Sequence, residues 1–238
     1  MWDNPRLLNA AANVLAGLAA AMLLFAAAHA LLRSSLFPLR EITVLATLEH
    51  TSAGEIGRAT RAAVSGNFLA ADLDAVRAAL EQLPWVRRVQ VRRVWPDRLE
   101  IALEDHVALA LWGDAGLVNT YGERFAATSA ERLPMFAGPA GAEAEVARRY
   151  RRFAELLAPL GEAPERVILT SRHAWRIRLT GGLNLELGRD LAHEPVERRL
   201  ARFVAAYPQT LARMQRRHEY VDLRYPNGFA LRVPELNG

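Results

Sequence analysis

Between Leu7 and Leu32 no side chain is charged, and beyond Arg33 the apolar positions fall into short periodic sets separated by turn residues. The run from Val14 to Leu32, wound as a helix at ~1.5 Å per residue, spans roughly 28 Å and matches the ~30 Å hydrocarbon core of a bilayer. It lacks the polar face that a helix lying on a soluble domain would show. This pattern predicts a short tail over residues 1–13 and a membrane anchor over residues 14–32, with Val14, Leu18, Leu23, Phe25 and Leu32 among the residues that drive insertion. His29 lies near one end, where it can reach the interface. Ala28-His29-Ala30 has the form of a signal-peptide cleavage site, but the apolar run exceeds the ~7–15 residues of such cores and continues past the site. Arg6 precedes the run while Arg33 and Arg40 follow it, so charge alone leaves the topology open.

The next segment alternates between strand and helix signals. Leu39 to Leu45 reads as a strand. Ser52 with Glu55 forms a capping box ahead of Ile56, Ala59 and Ala63 at helical spacing, and Ser65-Gly66-Asn67 stops that helix. Asp72 can cap a second helix with the stripe Leu73, Val76, Leu80 and Leu83, ended by Pro84. A hairpin follows, in which Val89 and Val91 face Leu103 and Ile101 across the turn Trp95-Pro96-Asp97. The same register sets Arg92 opposite Glu100 and Arg88 opposite Glu104, so Arg87-Arg88 and Arg92-Arg93 read as a solvated sheet face rather than a phosphate track. Strand, helix, helix, strand, strand over residues 38–106 makes a small α+β unit with both helices on one sheet face.

Residues 107–238 form a second, mixed α/β-sheet domain. Short strands are expected at Val107 to Trp112, Leu117 to Asn119, Phe125 and Leu133 to Phe136. Val146, Tyr150, Phe153, Leu157 and Leu160 trace one helical face closed by Gly161, with Arg148, Arg149, Arg151 and Arg152 largely off it as a solvated surface. Val167 to Thr170 reads as a strand, and Trp175, Ile177 and Leu179 are expected to pair with Leu183, Leu185 and Leu187 across Gly181-Gly182. A helix from about Pro195 presents Val196, Leu200, Phe203 and Tyr207. The chain then offers a strand from Tyr220 to Tyr225, the turn Pro226-Asn227-Gly228, and a last strand from Phe229 to Val233 stopped by Pro234.

Composition changes this picture little. Apolar residues make up 51% of the chain, enough for a true core in addition to the anchor. The absence of cysteine excludes disulfides, zinc-thiolate sites and thiol nucleophiles. All 30 basic residues are arginine, and the formal net charge of +4 is too mild to make nucleic acid the main partner. No two of the six histidines sit at a metal-ligand spacing, and there is no nucleophile elbow, phosphate-binding glycine loop or dinucleotide fingerprint. The expectation is a chain with no catalytic residue, cofactor, metal or small-molecule substrate, whose work is done by a recognition surface. The terminal strand is the natural candidate, since an unpaired edge can accept a strand from another chain.

Specific motifs carry a resemblance. The hairpin Pro84 to Leu99, read as Pro-Trp-Val-Arg-Arg-Val-Gln-Val-Arg-Arg-Val-Trp-Pro-Asp-Arg-Leu and followed by Glu104, resembles the POTRA module of the FtsQ/DivIB cell-division proteins. Leu117-Val-Asn-Thr-Tyr-Gly-Glu-Arg-Phe125, Leu133-Pro-Met-Phe-Ala-Gly-Pro139, Arg172-His-Ala-Trp-Arg176, Leu187-Gly-Arg189 and Val221-Asp-Leu-Arg-Tyr-Pro-Asn-Gly-Phe229 are similar, in order, to the signatures of that family's β domain. The resemblance implies a single-pass inner-membrane protein with a cytoplasmic amino terminus and two periplasmic domains at the division septum. It implies a non-enzymatic scaffold that joins FtsB and FtsL and, through FtsW and FtsI, helps control septal peptidoglycan synthesis. It also implies that the carboxy-terminal strand takes an added strand from FtsB. The matching positions are Arg224, Tyr225, Asn227, Gly228, Phe229, Ala230, Leu231, Arg232 and Val233, with Arg189 nearby. This chain departs from better-known members in carrying Pro226 beside Tyr225 and no aromatic residue at Val233. A POTRA-bearing chaperone for envelope assembly and an anchored envelope hydrolase are the alternatives. The first is disfavoured by a single POTRA unit with no barrel-like strand series, the second by the missing catalytic motifs.

Overall fold

Chain contacts divide the protein into two units, Met1–Asp105 and His106–Gly238. The computed structural model describes residues 5–34, 37–45, 49–64, 67–114, 116–214 and 218–232 of the chain. The expected helix stop at Ser65-Gly66 and the strand end at Val233 and Pro234 lie outside the described residues, as does the side chain of Leu32.

The first unit opens with α1 (Pro5–Arg33), whose stretch Asn9–Leu31 has a mean hydropathy of 2.1 and is long and apolar enough to cross a membrane. Val14, Leu18, Leu23 and Phe25 are all exposed on it. Helical structure includes Pro5, because proline is tolerated in a first turn and Ala10-Ala11-Ala12 are strong helix formers.

The rest of the unit follows the sequence pattern closely. β1 (Glu41–Leu45) leads to α2 (Ala53–Ala63), where Glu55 N donates to Ser52 Oγ and Ser52 N donates to Glu55 Oε2, closing the capping box. α3 (Leu73–Glu81) starts on Asp72, whose Oδ1 accepts from the amides of Asp74 and Ala75. β2 (Val86–Val94) and β3 (Arg98–Asp105) then pair antiparallel in the expected register, Val89 with Leu103 and Val91 with Ile101. β1 joins β3 in parallel, giving the order β1-β3-β2, and Ile56, Val76, Leu80, Val86, Val89 and Ile101 form the core beneath the two helices.

Two arginines behave differently from the expected solvated face. A register shift between Val86 and Arg88 lets Arg87, not Arg88, bond Glu104 at 2.7 Å. Arg93 turns off the sheet altogether and donates to the carbonyls of Phe68, Leu69 and Ala71.

The second unit is built on a nine-stranded mixed sheet among the described residues, ordered β12-β11-β10-β9-β8-β7-β4-β5-β6. Its elements in chain order are β4 (Ala108–Trp112), β5 (Leu117–Asn119), β6 (Arg124–Phe125), β7 (Met135–Ala137), α4 (Glu143–Leu157), β8 (Pro164–Leu169), β9 (Ala174–Leu179), β10 (Asn184–Arg189), α5 (Val196–Ala206), β11 (Tyr220–Asp222) and β12 (Ala230–Arg232). Val146, Phe153 and Leu157 of α4 and Val196, Leu200 and Phe203 of α5 pack with Phe136, Val167, Trp175, Ile177, Leu185 and Leu187 in one core.

Three expectations change here. Trp175 registers with Gly188 rather than Leu187, because a bulge after Glu186 leaves Leu187 without a registered partner, next to Gly188, whose φ of 74° costs glycine nothing sterically. The strand expected through Tyr225 stops at Asp222, whose Oδ1 accepts the amide of Arg224 at 3.0 Å in a local turn that competes with the ladder. Arg149 is no solvated charge: its guanidinium bonds Asp190 and Glu197 and lies 5.1 Å over the ring of Trp175.

Candidate strand-docking edge

The edge is held in place from below by α5. Arg199 on this helix is only 3% exposed and donates to the carbonyls of Leu187 at 2.7 Å and Arg189 at 2.8 Å, and to Glu194 at 3.1 Å. It therefore satisfies backbone groups where β10 ends in its bulge. Glu194 also takes a bond from Arg202, and these hydrogen bonds hold its carboxyl below the usual carboxylate range. Arg202 donates on to the carbonyl of Tyr225 at 3.3 Å. Sequence reading missed this relay, since an arginine on an amphipathic helix gives no sign of whether it points to water or to a strand end.

β11 lies parallel to β10, with the Asn184 amide donating to Glu219 O and the Leu223 amide to Glu186 O. By the alternation of a β-ladder, Val221 turns its backbone polar groups toward β10, while Tyr220 and Asp222 turn theirs toward β12. Tyr220 and Asp222 register with Arg232 and Ala230, and Val221 with Leu231. The inward-bonded residues of β12 are thus Ala230 and Arg232, and the amide and carbonyl of Leu231 point away from the sheet. β12 has β11 on one side and no strand on the other among the described residues.

Each expected site residue among the described residues now has a place, Val233 lying outside them. Phe229 and Leu231 send their side chains into the domain's own core, Phe229 at 5.8 Å from the ring of Phe203, so they offer backbone rather than side chains. Ala230, Arg232, Asn227 and Gly228 are exposed, and Tyr225 is 53% exposed. Arg224 is held by Asp222 through three side-chain bonds of 2.6–3.0 Å, which keep the Asp222 carboxyl below its ordinary value and the guanidinium firmly charged. Its guanidinium edge still faces solvent, at 58% exposure. A Cβ on Gly188 would stand 2.8 Å from Cγ of Arg224, so this glycine is what lets the Arg224 stem lie against the backbone beside Arg189. The Arg224 stem thus lies against Gly188, next in sequence to Arg189. Arg189 is exposed, and no ion pair to it is seen among the described residues.

On the sheet surface, registered partners run in a row from Arg166 through Arg178, Asn184 and Tyr220 to Arg232. Arg178 is paired with Glu165 at 3.2 Å. Burial, with the charges of Asp222 and Glu186, raises the Tyr220 phenol above its ordinary value, so it stays neutral in this row. A strand added beside β12 would continue the row with its own residue opposite Arg232.

A cavity of about 440 Å³ is lined by Leu160, Leu179, Leu183 and Leu211 with Glu162 and Glu219, but Glu162 Oε2 is occupied by Thr180 Oγ1 at 2.5 Å and by the Gly181 amide at 2.8 Å. Among the described residues no group of three or more histidine or carboxylate side chains is placed to hold a metal ion.

Comparison with known proteins agrees along the chain. Residues 37–106 match the POTRA domain of FtsQ type, and residues 110–224 match the C-terminal region of the cell division protein FtsQ/DivIB, a match that stops just short of β12. The chain is 43% identical over 236 residues to a cell division protein FtsQ of Burkholderia pseudomallei, covering 98% of this chain and 94% of the relative. It is 41% identical to one of Nitrosospira multiformis, covering 98% and 99%, and 37% identical over 174 residues to one of Escherichia coli, covering 70% and 62%. With a POTRA unit, a mixed-sheet unit and an apolar amino-terminal helix in the same order, the chain belongs to the FtsQ/DivIB family of cell division proteins.

Proposed function

We propose that this chain is a non-enzymatic, single-pass scaffold of the division machinery that captures an FtsB-type partner by strand addition at β12. The observation that carries the reading is the outward-facing amide and carbonyl of Leu231 on a strand that, among the described residues, has a neighbour on one side only. An incoming strand pairs with those groups, and backbone bonding supplies affinity without demanding a particular sequence. Selectivity comes from the side chains around the edge. Tyr225 offers a half-exposed ring whose backbone is fixed by Arg202, while Arg224 and Arg189 offer exposed cations for partner carboxylates. Arg232 favours an acidic residue on the partner strand directly opposite it.

In this reading α1 tethers the chain in the inner membrane with its amino terminus in the cytoplasm, and both units lie in the periplasm at the septum. FtsL joins through the same complex, and FtsW and FtsI feel the assembly indirectly through control of septal peptidoglycan synthesis. These assignments follow the resemblance of the chain to its family and the position of the apolar helix.

The test is capture of an FtsB-type partner by the detergent-solubilised full chain, with folding followed by circular dichroism. Tyr225→Ala and Leu231→Pro should each abolish capture, the second by removing the outward donor while the bonds of Ala230 and Arg232 to β11 remain. Full capture by folded Leu231→Pro would rule out strand addition at this edge.

A further inference from the structure

Outside α1, Trp95 is the most exposed large apolar side chain among the described residues, at 74%. It sits at the tip of the β2–β3 hairpin and is not needed for the core of its own unit. An indole left in water forgoes a large transfer free energy, and its amphipathic ring is suited to the boundary between hydrocarbon and headgroups.

A series of bonds places this tip at the end of the apolar helix. Asn67 Nδ2 donates to the carbonyl of Ser34 at 2.9 Å and to that of Leu31 at 3.4 Å, and Leu31 is the last residue of the membrane-length stretch. The Asn67 side chain also accepts from the amides of Leu69 and Ala70, so the loop from Asn67 to Ala71 is fastened to the helix end. The Phe68 amide donates to Phe37 O, and Arg93 clamps the carbonyls of Phe68, Leu69 and Ala71. Trp95 stands two residues on from Arg93, just past the end of β2, and roughly 7 Å away at strand rise. On the other strand the Arg40 amide donates to Asp97 O at 2.9 Å, so the tip flanks the point where the chain arrives from the anchor. Headgroups occupy roughly 5–8 Å on each side of the hydrocarbon. Leu69, itself 36% exposed, and Trp95 are therefore within reach of that layer.

We propose that the hairpin tip carrying Trp95, together with Leu69, lies in the phospholipid headgroup layer beside the helix and fixes the POTRA unit against the bilayer. The proposal rests on α1 spanning a membrane. Arg40, Arg92 and Arg98 ring the tip, but Asp97, Glu100 and Glu41 pair with them in turn. With charges so nearly balanced, the contact is driven by the indole and is only weakly sensitive to salt and to the fraction of anionic lipid, unlike binding through a polybasic patch.

The natural absence of cysteine permits single spin labels on the full chain in phospholipid nanodiscs. Labels go on Trp95→Cys, Leu69→Cys, Leu18→Cys within the helix, and Gln82→Cys beyond the open end of the hairpin. The ratio of oxygen to nickel-chelate collision rates should be highest at Leu18, intermediate at Trp95 and Leu69, and lowest at Gln82. Trp95 behaving like Gln82 while Leu18 reports hydrocarbon would overturn the tip contact and leave the anchor standing. An aqueous Leu18 would overturn both. A dipolar coupling between Trp95 labels that grows with protein loading would assign the surface to a second copy instead. Because the label replaces the indole, quenching by brominated lipid is measured on the unlabelled chain as well. Trp95→Phe should lose part of the quenched emission, and unchanged quenching would count against the proposal.

Discussion

The β2–β3 hairpin and the β11–β12 pair are both antiparallel, both joined through a proline-containing turn, and both alternate apolar with polar residues, yet they are stabilised in opposite ways. In the first, registered pairs extend from Val86 to Val94, and Val89 and Ile101 are buried under helices of the same small unit. In the second, three pairs hold β12, Leu231 is only partly covered, and the support comes from α5 through Arg199 and Arg202. Among the described residues β2 and β12 both lie at an edge of their sheets, so the difference lies in how firmly each strand is held rather than in having an open side. The long register of β2 lies under two helices, whereas the three pairs of β12 rest beside the end of β10.

The largest effect should come from removing that support. Arg199→Met leaves the carbonyls of Leu187 and Arg189 without their donor and breaks the bond to Glu194, at a cost of about 3–5 kcal/mol read by urea unfolding of the second unit. A loss below about 1 kcal/mol would mean that the edge is not held from beneath. In the first hairpin, Ile101→Ala should cost about 2–5 kcal/mol, whereas Leu231→Ala should cost about 1 kcal/mol or less because its site is half open. Equal costs would erase the contrast.

A smaller effect is expected from acid. The carboxyls of Asp222, Glu194 and Asp190 titrate below their ordinary range in the folded chain: bonds from Arg224 and Arg199 lower the first two, and for Asp190 burial is outweighed by Arg149. Because their folded values lie below the unfolded ones, the stability they contribute is present above about pH 4 and is lost as pH falls through the lowered values. Asp222→Asn should flatten that acid loss by about 1–2 kcal/mol and loosen the turn at Arg224, both visible in unfolding curves taken between neutral and acid pH. The subtlest comparison is by hydrogen exchange. The Leu231 amide should exchange much faster than those of Ala230 and Arg232 and become protected on partner addition, whereas alternate amides of β2 should show no such response.

Much of the first unit was legible because its signals are local. The capping box at Ser52 and Glu55, the cap at Asp72 and the pairing of Val91 with Ile101 depend on residues close in sequence, and the structure keeps all three. The position of the last strand was also readable from alternation and the turn Pro226-Asn227-Gly228, although the side-chain bond from Asp222 shortened the strand before it. Arg149, Arg199 and Arg93 were not readable, since each satisfies groups on other elements whose approach depends on how sheet and helices pack.

Taken alone, the order of residues determined the apolar span, the α+β class, the hairpin register and the motifs shared with a family, because short-range periodicity and capping encode these directly. Tertiary structure decided that β12 ends the sheet among the described residues, that Leu231 turns its backbone outward, that Gly188 makes room for the Arg224 stem, and that Asn67 fastens the helix end to the loop near Trp95. Those outcomes depend on which strands become neighbours and which side chains reach across them, and no local pattern specifies either.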